Sequence, residues 1–141
     1  MRYLLDTAPW ANSVLIPEVI PARIRRLLES PEEKGLCSVS LLECAIHYRL
    51  GRLRLGGDLP EFFEAGLAAD IELIDLTPEI AAVTNELPEK FPGDPFDRVI
   101  VATAKVMGLT LITCDRAIRD VRFCQVEFYP FKPSRLKGES K

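Results

Sequence analysis

Four acidic residues carry the clearest chemical information in this sequence of 141 residues. Each is predicted to follow a β-strand directly: Asp6 after Tyr3-Leu4-Leu5, Glu43 after the run 36–39, Asp97 in Asp94-Pro95-Phe96-Asp97, and Asp115 after Leu111-Ile112. If the strands are parallel, the four carboxylates meet at one edge of the sheet. That edge is where open α/β sheets bind their ligands.

A cluster of bare carboxylates is unstable. Two unit charges ~4 Å apart repel by about 4 kcal/mol at an effective dielectric constant of about 20. Either some of the carboxyl groups stay protonated, or a divalent cation neutralises them. Mg²⁺ and Mn²⁺ prefer oxygen ligands and leave positions open for water and a phosphate oxygen, so the predicted chemistry is metal-assisted hydrolysis.

Each acid also has a purely structural explanation. Ser40 and Glu43 match a capping box, Asp94 before Pro95 is a typical helix start, Asp115 fits an Asx turn, and Asp6 fits a loop cap. Ser, Thr or Asn would cap equally well without mutual repulsion. Four acids at these positions therefore favour the functional interpretation.

Three neighbouring residues are candidates for supporting roles. Thr7 and Thr113 stand next to two of the acids and are predicted to orient ligands or waters, unless they are simply strand-end residues. Asp94 precedes the Pro95 that opens a predicted helix, and its expected role is to cap that helix.

The elements that must position these acids alternate between strand and helix. Strands are predicted at 2–5, 36–39, 71–75, 109–113 and 125–128, and helices at 20–29, 41–50, 59–69, 78–87, 95–107 and 116–120. Helix-boundary signals support this order: Pro21, Pro78 and Pro95 suit first turns, Asp58 and Thr77 suit N-caps, and Gly51 and Gly108 suit helix ends. This alternation predicts an α/β fold with a parallel sheet.

The composition narrows the class of protein. With 48% hydrophobic residues, the chain is expected to form one domain over 1–131. The four cysteines form no C-x-x-C pair and no signal peptide is recognised, so we expect reduced thiols in a cytoplasmic protein without a membrane role. With a single histidine, His47, zinc sites and histidine triads lack their residues.

The charge is unevenly distributed. The net charge is -3, yet residues 130–141 contain four Lys or Arg and one Glu. Residues 132–141 are therefore predicted to be a flexible basic tail. A further basic set at Arg49, Arg52 and Arg54 permits an RNA partner, although exposed helix faces commonly carry such charges.

Segments along nearly the whole chain resemble the PIN-domain nucleases, and among them the VapC-like toxins of type II toxin-antitoxin systems. The matching segments are LLDT at 4–7, SVSLLE at 38–43, GRLRL at 51–55, DPFDRVIVATA at 94–104 and LTLITCD at 109–115. The resemblance implies a three-layer α/β/α sandwich and an Mg²⁺- or Mn²⁺-dependent endoribonuclease. It also implies that Asp6, Glu43, Asp97 and Asp115 form the catalytic and metal-binding site.

The resemblance further implies partners and products. The partners are an RNA substrate, a small antitoxin that inhibits the toxin, a second toxin copy in a homodimer, and DNA reached only through the antitoxin. The cut RNA would carry 5′-phosphate and 3′-hydroxyl ends. Two alternatives remain open: a PIN nuclease of RNA processing without a toxin role, and a catalytically silent binding module in which the acids hold a structural ion.

A mechanism follows as a hypothesis. Asp6 and Asp97 anchor the metal, while Glu43 and Asp115 complete the cluster directly, through water or around a second ion. The candidates for holding the RNA backbone electrostatically are Arg98, Arg49, Arg52 and Arg54.

Overall fold

The computed structural model describes residues 1–68 and 70–131, and within them five parallel strands form one sheet. The strands are β1 (Tyr3–Leu5), β2 (Lys34–Cys37), β3 (Ile71–Ile74), β4 (Thr110–Thr113) and β5 (Val126–Phe128), in the order β3-β2-β1-β4-β5. In the centre, Leu5 of β1 is in register with Leu36 of β2 and Ile112 of β4. Strands β2 and β4 lie on opposite sides of β1, which makes the carboxyl end of β1 the switch point of the sheet.

Helices cover both faces of this sheet. They are α1 (Thr7–Leu15), α2 (Ala22–Glu29), α3 (Val39–Arg49), α4 (Leu59–Gly66), α5 (Pro78–Val83), α6 (Pro95–Met107) and α7 (Arg116–Val121), with 3₁₀ turns at Pro17–Val19 and Thr84–Glu86. This is the three-layer α/β/α arrangement that the resemblance implied. None of the described helices is long and apolar enough to cross a lipid bilayer.

Alternating strand residues build two separate cores. Leu5 and Ile112 pack with Trp10, Ile24 and Phe62, which belong to α1, α2 and α4. Their neighbours Leu4 and Leu111 point the other way and pack with Ile100 and Val101 of α6 and Ile118 of α7. The two-residue period of a strand thus gives the sheet two apolar faces, and both are covered.

Helix α1 was not predicted from the sequence. Its residues include Thr, Pro, Asn, Ser and Val, which have modest or poor helix propensity. Asp6 caps the helix, and Pro9 lies in the first turn, where its missing N–H costs nothing. Trp10 is 1% exposed and donates from Nε1 to the carbonyl oxygen of Gly66 at 2.7 Å, so tertiary packing stabilises this helix against its weak propensity.

Two of the predicted strand ends were wrong. Strand β2 ends at Cys37, so Glu43 does not follow a strand directly but lies in the second turn of α3. Asp97 lies in the first turn of α6, after an irregular segment and not after a strand. Lys34 and Gly35 begin β2 although neither favours strands, which is why the sequence pattern placed this strand two residues too late.

Most boundary signals were confirmed. Asp58, Thr77 and Asp94 are N-caps whose side chains accept backbone N–H bonds, and Pro78 and Pro95 are first helical residues. Gly108 ends α6 with φ of 67°, and Gly51 follows α3 with φ of 75°. The predicted helix 78–87 instead divides at Thr84 into α5 and a 3₁₀ turn. The predicted basic tail, residues 132–141, lies outside the described residues.

Candidate active site

The carboxylate of Asp6 lies just beyond the central strand and is held on both oxygens. Its Oδ1 accepts from the backbone N–H of Thr7 at 2.8 Å, and its Oδ2 accepts from the Thr113 hydroxyl at 2.8 Å. Burial raises the pKa of Asp6 to about 6, against the opposing effect of these two bonds. Asp6 is thus both the cap of α1 and a preoriented, buried acid.

Glu43 reaches the same place from α3. Its Oε1 accepts from the Thr7 hydroxyl at 2.7 Å, and that hydroxyl also lies 2.7 Å from the hydroxyl of Ser40. The N-cap of α3 is Ser38, which makes no side-chain capping bond. The capping-box explanation for Ser40 and Glu43 was therefore wrong, because Ser40 lies inside the helix.

The pKa of Asp97 is raised further than that of Asp6. Asp94 caps α6 by accepting from the N–H of Asp97 at 2.9 Å, as its expected role required. Burial, together with the charges of Asp6, Asp94, Glu43 and Asp115, raises the pKa of Asp97 to about 8. The Asp97 carboxyl is thus protonated near neutral pH unless a cation offsets this repulsion.

Asp115 reaches the cleft from the end of β4, which lies on the opposite side of β1 from β2. It caps α7, with Oδ1 accepting from the N–H groups of Ala117 at 2.8 Å and Ile118 at 3.2 Å. Its own N–H donates to the Thr113 hydroxyl at 3.0 Å, and that hydroxyl donates to Asp6. Thr113 therefore orients two acids: its hydroxyl donates a hydrogen bond to Asp6, and its hydroxyl oxygen accepts from the backbone N–H of Asp115. Thr7 has a similar double role toward Asp6 and Glu43.

These acids share one cleft with a volume of about 570 Å³. Its lining includes all four predicted catalytic acids and Asp94, together with Thr7, Ala8, Ala11, Cys44, His47, Arg52, Leu53, Cys114, Arg116 and Phe131. Burial raises the pKa of the Cys44 and Cys114 thiols to about 12, so neither is a thiolate nucleophile near neutral pH. The carboxylates and His47 are therefore the groups of the cleft that could act as acids or bases.

The donor set suits a hard divalent cation by type and charge, because carboxylate oxygens dominate it. As the side chains stand, no three acidic, histidine or cysteine residues in the described part of the chain are close enough to hold a metal ion. Binding would require side-chain rotation or bridging waters. The raised pKa of Asp97 indicates the deficit of positive charge that a cation would correct.

The arginine candidates separate into different roles. Arg52 lines the cleft, whereas Arg49 and Arg54 are exposed and do not. Arg98 donates to the carbonyl oxygens of Phe91 at 3.1 Å and Thr84 at 3.5 Å, and its guanidinium lies 5.5 Å from the centre of the Phe91 ring. Arg98 therefore fixes the segment before α6, and its contact with RNA stays a prediction.

Sequence reasoning left three residues around the acids out of the candidate site. His47 is one helical turn beyond Glu43, and its Nε2 lies 3.8 Å from Glu43 Oε2. The i, i+4 spacing on α3 was a usable signal for this pair. Arg116 directly follows Asp115 and lines the cleft, a placement that adjacency could have indicated. The spacing of Ser40 and Glu43 indicated only a capping box, and no local signal indicated the contact of Ser40 with Thr7, 33 residues away.

The comparisons with known proteins agree with this fold. The PIN domain profile matches residues 3–123, so the chain belongs to the PIN-domain family. Within that family it is similar to ribonuclease VapC22 of Mycobacterium tuberculosis, with 32% identity over 106 residues that cover 75% of this chain and 81% of the relative. This relative is a VapC protein, and the predicted resemblance is confirmed.

Solved structures share the fold at low sequence identity. VapBC2 from Rickettsia felis, bound to a DNA fragment from its promoter, gives a TM-score of 0.69 at 16% identity and covers 91% of this chain and 98% of its own. DNA-bound VapBC from Salmonella typhimurium gives a TM-score of 0.67 at 20% identity, with coverage of 91% and 98%. PAE2754 from Pyrobaculum aerophilum gives 0.58 at 15% identity, with coverage of 89% and 83%.

Proposed function

We propose that this VapC-like PIN protein is a metal-dependent endoribonuclease that acts as the toxin of a VapBC-like toxin-antitoxin pair. The observation that carries the proposal is the convergence of Asp6, Glu43, Asp97 and Asp115 in one cleft at the switch point of the sheet. Membership of the PIN family and the similarity to a VapC ribonuclease support RNA as the substrate.

The proposed cofactor is Mg²⁺ or Mn²⁺. Asp6 and Asp97 are its proposed anchors, with Glu43 and Asp115 completing the set. Once bound, such an ion would lower the pKa of a water ligand and stabilise the negative charge that develops on the phosphate. The protein's own contribution is orientation: Thr113 holds Asp6 and the start of α7, and Thr7 holds Glu43.

The proposed contacts to the RNA backbone are Arg52 and Arg116. They lie in the turn after α3 and in the first turn of α7, which follow β2 and β4 on opposite sides of β1 and Asp6. A single strand that crosses the cleft between them would meet one guanidinium on each side of the acids. Such contacts contribute affinity for phosphate without reading the base sequence.

Proposed partners follow from the neighbouring structures. Two of the similar structures are VapBC assemblies bound to DNA. For this chain we infer a small cognate antitoxin that covers the toxin, a toxin homodimer, and contact with DNA only through the antitoxin. The proposed location is the cytoplasm, where the RNA substrate is.

The deciding experiment is an RNA cleavage assay. Purified protein is incubated with a mixed RNA pool in Mg²⁺ or Mn²⁺, beside an EDTA control and the Asp97→Asn variant, and the cut ends are mapped. Cleavage that requires both metal and Asp97 supports the nuclease. Absence of metal-dependent cleavage across varied RNAs, from protein shown to be folded, would favour the silent binding module.

A separate experiment tests the toxin role. Controlled expression of the chain is expected to arrest growth, and co-expression of the neighbouring small gene product is expected to restore it. The Asp97→Asn variant is the matched control, because it keeps the fold while removing a proposed metal ligand. A cleaving enzyme that is not toxic would point to the RNA-processing alternative.

A further inference from the structure

Two hydroxyl groups form a line that ends at Glu43. The Ser40 hydroxyl lies 2.7 Å from the Thr7 hydroxyl, which in turn lies 2.7 Å from Glu43 Oε1. Ser40 is 0% exposed and Thr7 is 9% exposed, so neither hydroxyl exchanges freely with solvent. The line joins α3 to α1 at the wall of the cleft.

Proton counting fixes the direction of these bonds. A hydroxyl has one proton to donate, and an ionised carboxylate can only accept. The Thr7 proton is used on Glu43, so the Thr7 oxygen must accept from Ser40. Ser40 is therefore the donor that begins the line, and each bond in such a chain polarises and strengthens the next.

Helix capping does not account for the buried Ser40 hydroxyl. Helix α3 starts at Val39, and its N-cap position belongs to Ser38. A serine inside a helix, at the second position here, has lower helix propensity than alanine. Its 0% exposure and its bond to another element indicate that this position serves the cleft and not the helix.

We propose that Ser40 is a positioning residue for Glu43 and acts through Thr7. This inference rests on the proposed function, because Glu43 is a proposed metal ligand. Without Ser40, the Thr7 hydroxyl loses its donor and can rotate away, so Glu43 loses the bond that holds its Oε1. Removal of residues that orient metal ligands typically costs about 10- to 100-fold in metal affinity or activity.

The test compares Ser40→Ala with Ser38→Ala, the same change two residues earlier. For both variants, the Mg²⁺ dependence of RNA cleavage, the KM for RNA and the thermal unfolding midpoint are measured. Ser40→Ala is expected to need about 10- to 100-fold more Mg²⁺ for half-maximal rate, with KM for RNA unchanged. Ser38→Ala is expected to match the wild-type protein.

Direct Mn²⁺ binding provides a readout that does not depend on cleavage. Calorimetric titration of the metal-free proteins is expected to show the same loss of affinity in Ser40→Ala. Thr7→Val should show a loss at least as large, and adding Ser40→Ala to it should change little, because Ser40 acts through Thr7. Independent, additive losses in the two variants would overturn the proposed line.

A merely structural role gives a different result. Loss of folded protein would lower the maximal rate and the unfolding midpoint but leave the half-maximal Mg²⁺ concentration and the Mn²⁺ affinity unchanged, and that result would reject the inference. If the wild-type protein cleaves no RNA, the proposed function fails. The Mn²⁺ titrations then still decide whether Ser40 positions Glu43.

Discussion

The two ends of the parallel sheet differ in whether their buried charged groups have partners of opposite charge. At the amino end, Lys34 is 1% exposed, and its Nζ donates to the carbonyl oxygen of Ser30 at 2.5 Å and to Asp70 Oδ2 at 2.7 Å. At the carboxyl end, five carboxylates line one cleft, and the pKa of Asp97 rises to about 8.

The difference shows which end needs a ligand. The Lys34 ammonium has an opposite charge and a carbonyl as partners, so the amino end is electrostatically complete. At the carboxyl end, hydroxyls of Thr7 and Thr113 orient the acids but do not neutralise them. Local instability retained in this way is typical of a functional site.

The largest predicted effect is at the carboxyl end. Asp97→Asn is expected to lower kcat/KM for RNA by roughly 100-fold or more, because a proposed metal anchor is lost. The same change should raise the free energy of unfolding of metal-free protein by about 0.5–2 kcal/mol, because it removes a carboxyl group whose ionised form is disfavoured by burial and by the neighbouring acids. Cleavage assays and urea unfolding in EDTA measure the two effects.

Asp75→Asn is the matched control for that variant, since Asp75 is exposed just after β3 and does not line the cleft. It should alter neither quantity. Wild-type cleavage by Asp97→Asn would remove Asp97 from the mechanism and end the contrast between the two sheet ends.

At the amino end, the predicted effect is on stability alone. Lys34→Met removes the donor to Ser30 and Asp70, and we expect a loss of about 1–3 kcal/mol in the free energy of unfolding. The loss is limited because the Asp70 side chain is 36% exposed and can be hydrated. Urea unfolding measures it, with Lys90→Met as an exposed control. A matching loss of RNA cleavage per folded molecule would show that the two ends are coupled.

The pH dependence of metal-free stability sharpens the comparison. The pKa values of Asp6 and Asp97 are raised from 3.8 to about 6 and about 8, so the folded state binds protons that the unfolded state has released. Stability should therefore fall as pH rises from about 4 to 8, and the fall should end above the folded-state pKa of Asp97. Thermal unfolding in EDTA across this range is the measurement.

Asp97→Asn separates the two contributions. Because the shift of Asp97 is removed and that of Asp6 remains, the stability of this variant should fall between about pH 4 and 6 and then level off. If the thermal unfolding midpoint of the wild-type protein instead rises as pH increases from about 4 to 8, the deficit of positive charge inferred for the cleft would be contradicted.

The smallest predicted effect concerns substrate binding. Arg52→Gln is expected to raise KM for RNA and leave kcat unchanged, because it removes a proposed phosphate contact. The slope of log KM against log salt concentration should fall by about 0.7, the value for one phosphate contact on a single strand. Arg49→Gln is the control, since Arg49 is exposed outside the cleft. Equal slopes for both variants would exclude Arg52 from the RNA path.

Much of the fold was predictable because its signals are local. The caps Asp58, Thr77 and Asp94 and the glycine at 108 marked helix ends correctly. Helix α1 was missed because its stability comes from the burial of Trp10 against α4, a contact that spans 56 residues to Gly66. The predicted position of β2 was two residues too late because Lys34 and Gly35 have low strand propensity. They join the strand through their pairing with β3.

The candidate site was predicted in part for a related reason. Asp6 and Asp115 stand where a strand gives way to a helix, so their placement follows from local pattern and sheet direction. Glu43 and Asp97 were grouped correctly for a partly wrong reason, since both reach the cleft from helices. The sequence could not show that the Arg98 guanidinium also donates to the carbonyl oxygen of Phe91, because that contact depends on how the segment before α6 folds.

The sequence by itself determined the α/β alternation, the identity of the four acids and the resemblance to PIN nucleases. These depend on residue type, short spacing and the common direction of parallel strands. Only the tertiary structure decided that Thr7 joins Ser40 to Glu43, that Thr113 joins Asp6 to the start of α7, and that Arg52 and Arg116 line the cleft with the acids. The physical reason is that these contacts connect residues far apart in the chain, so strand register and helix packing set their distances.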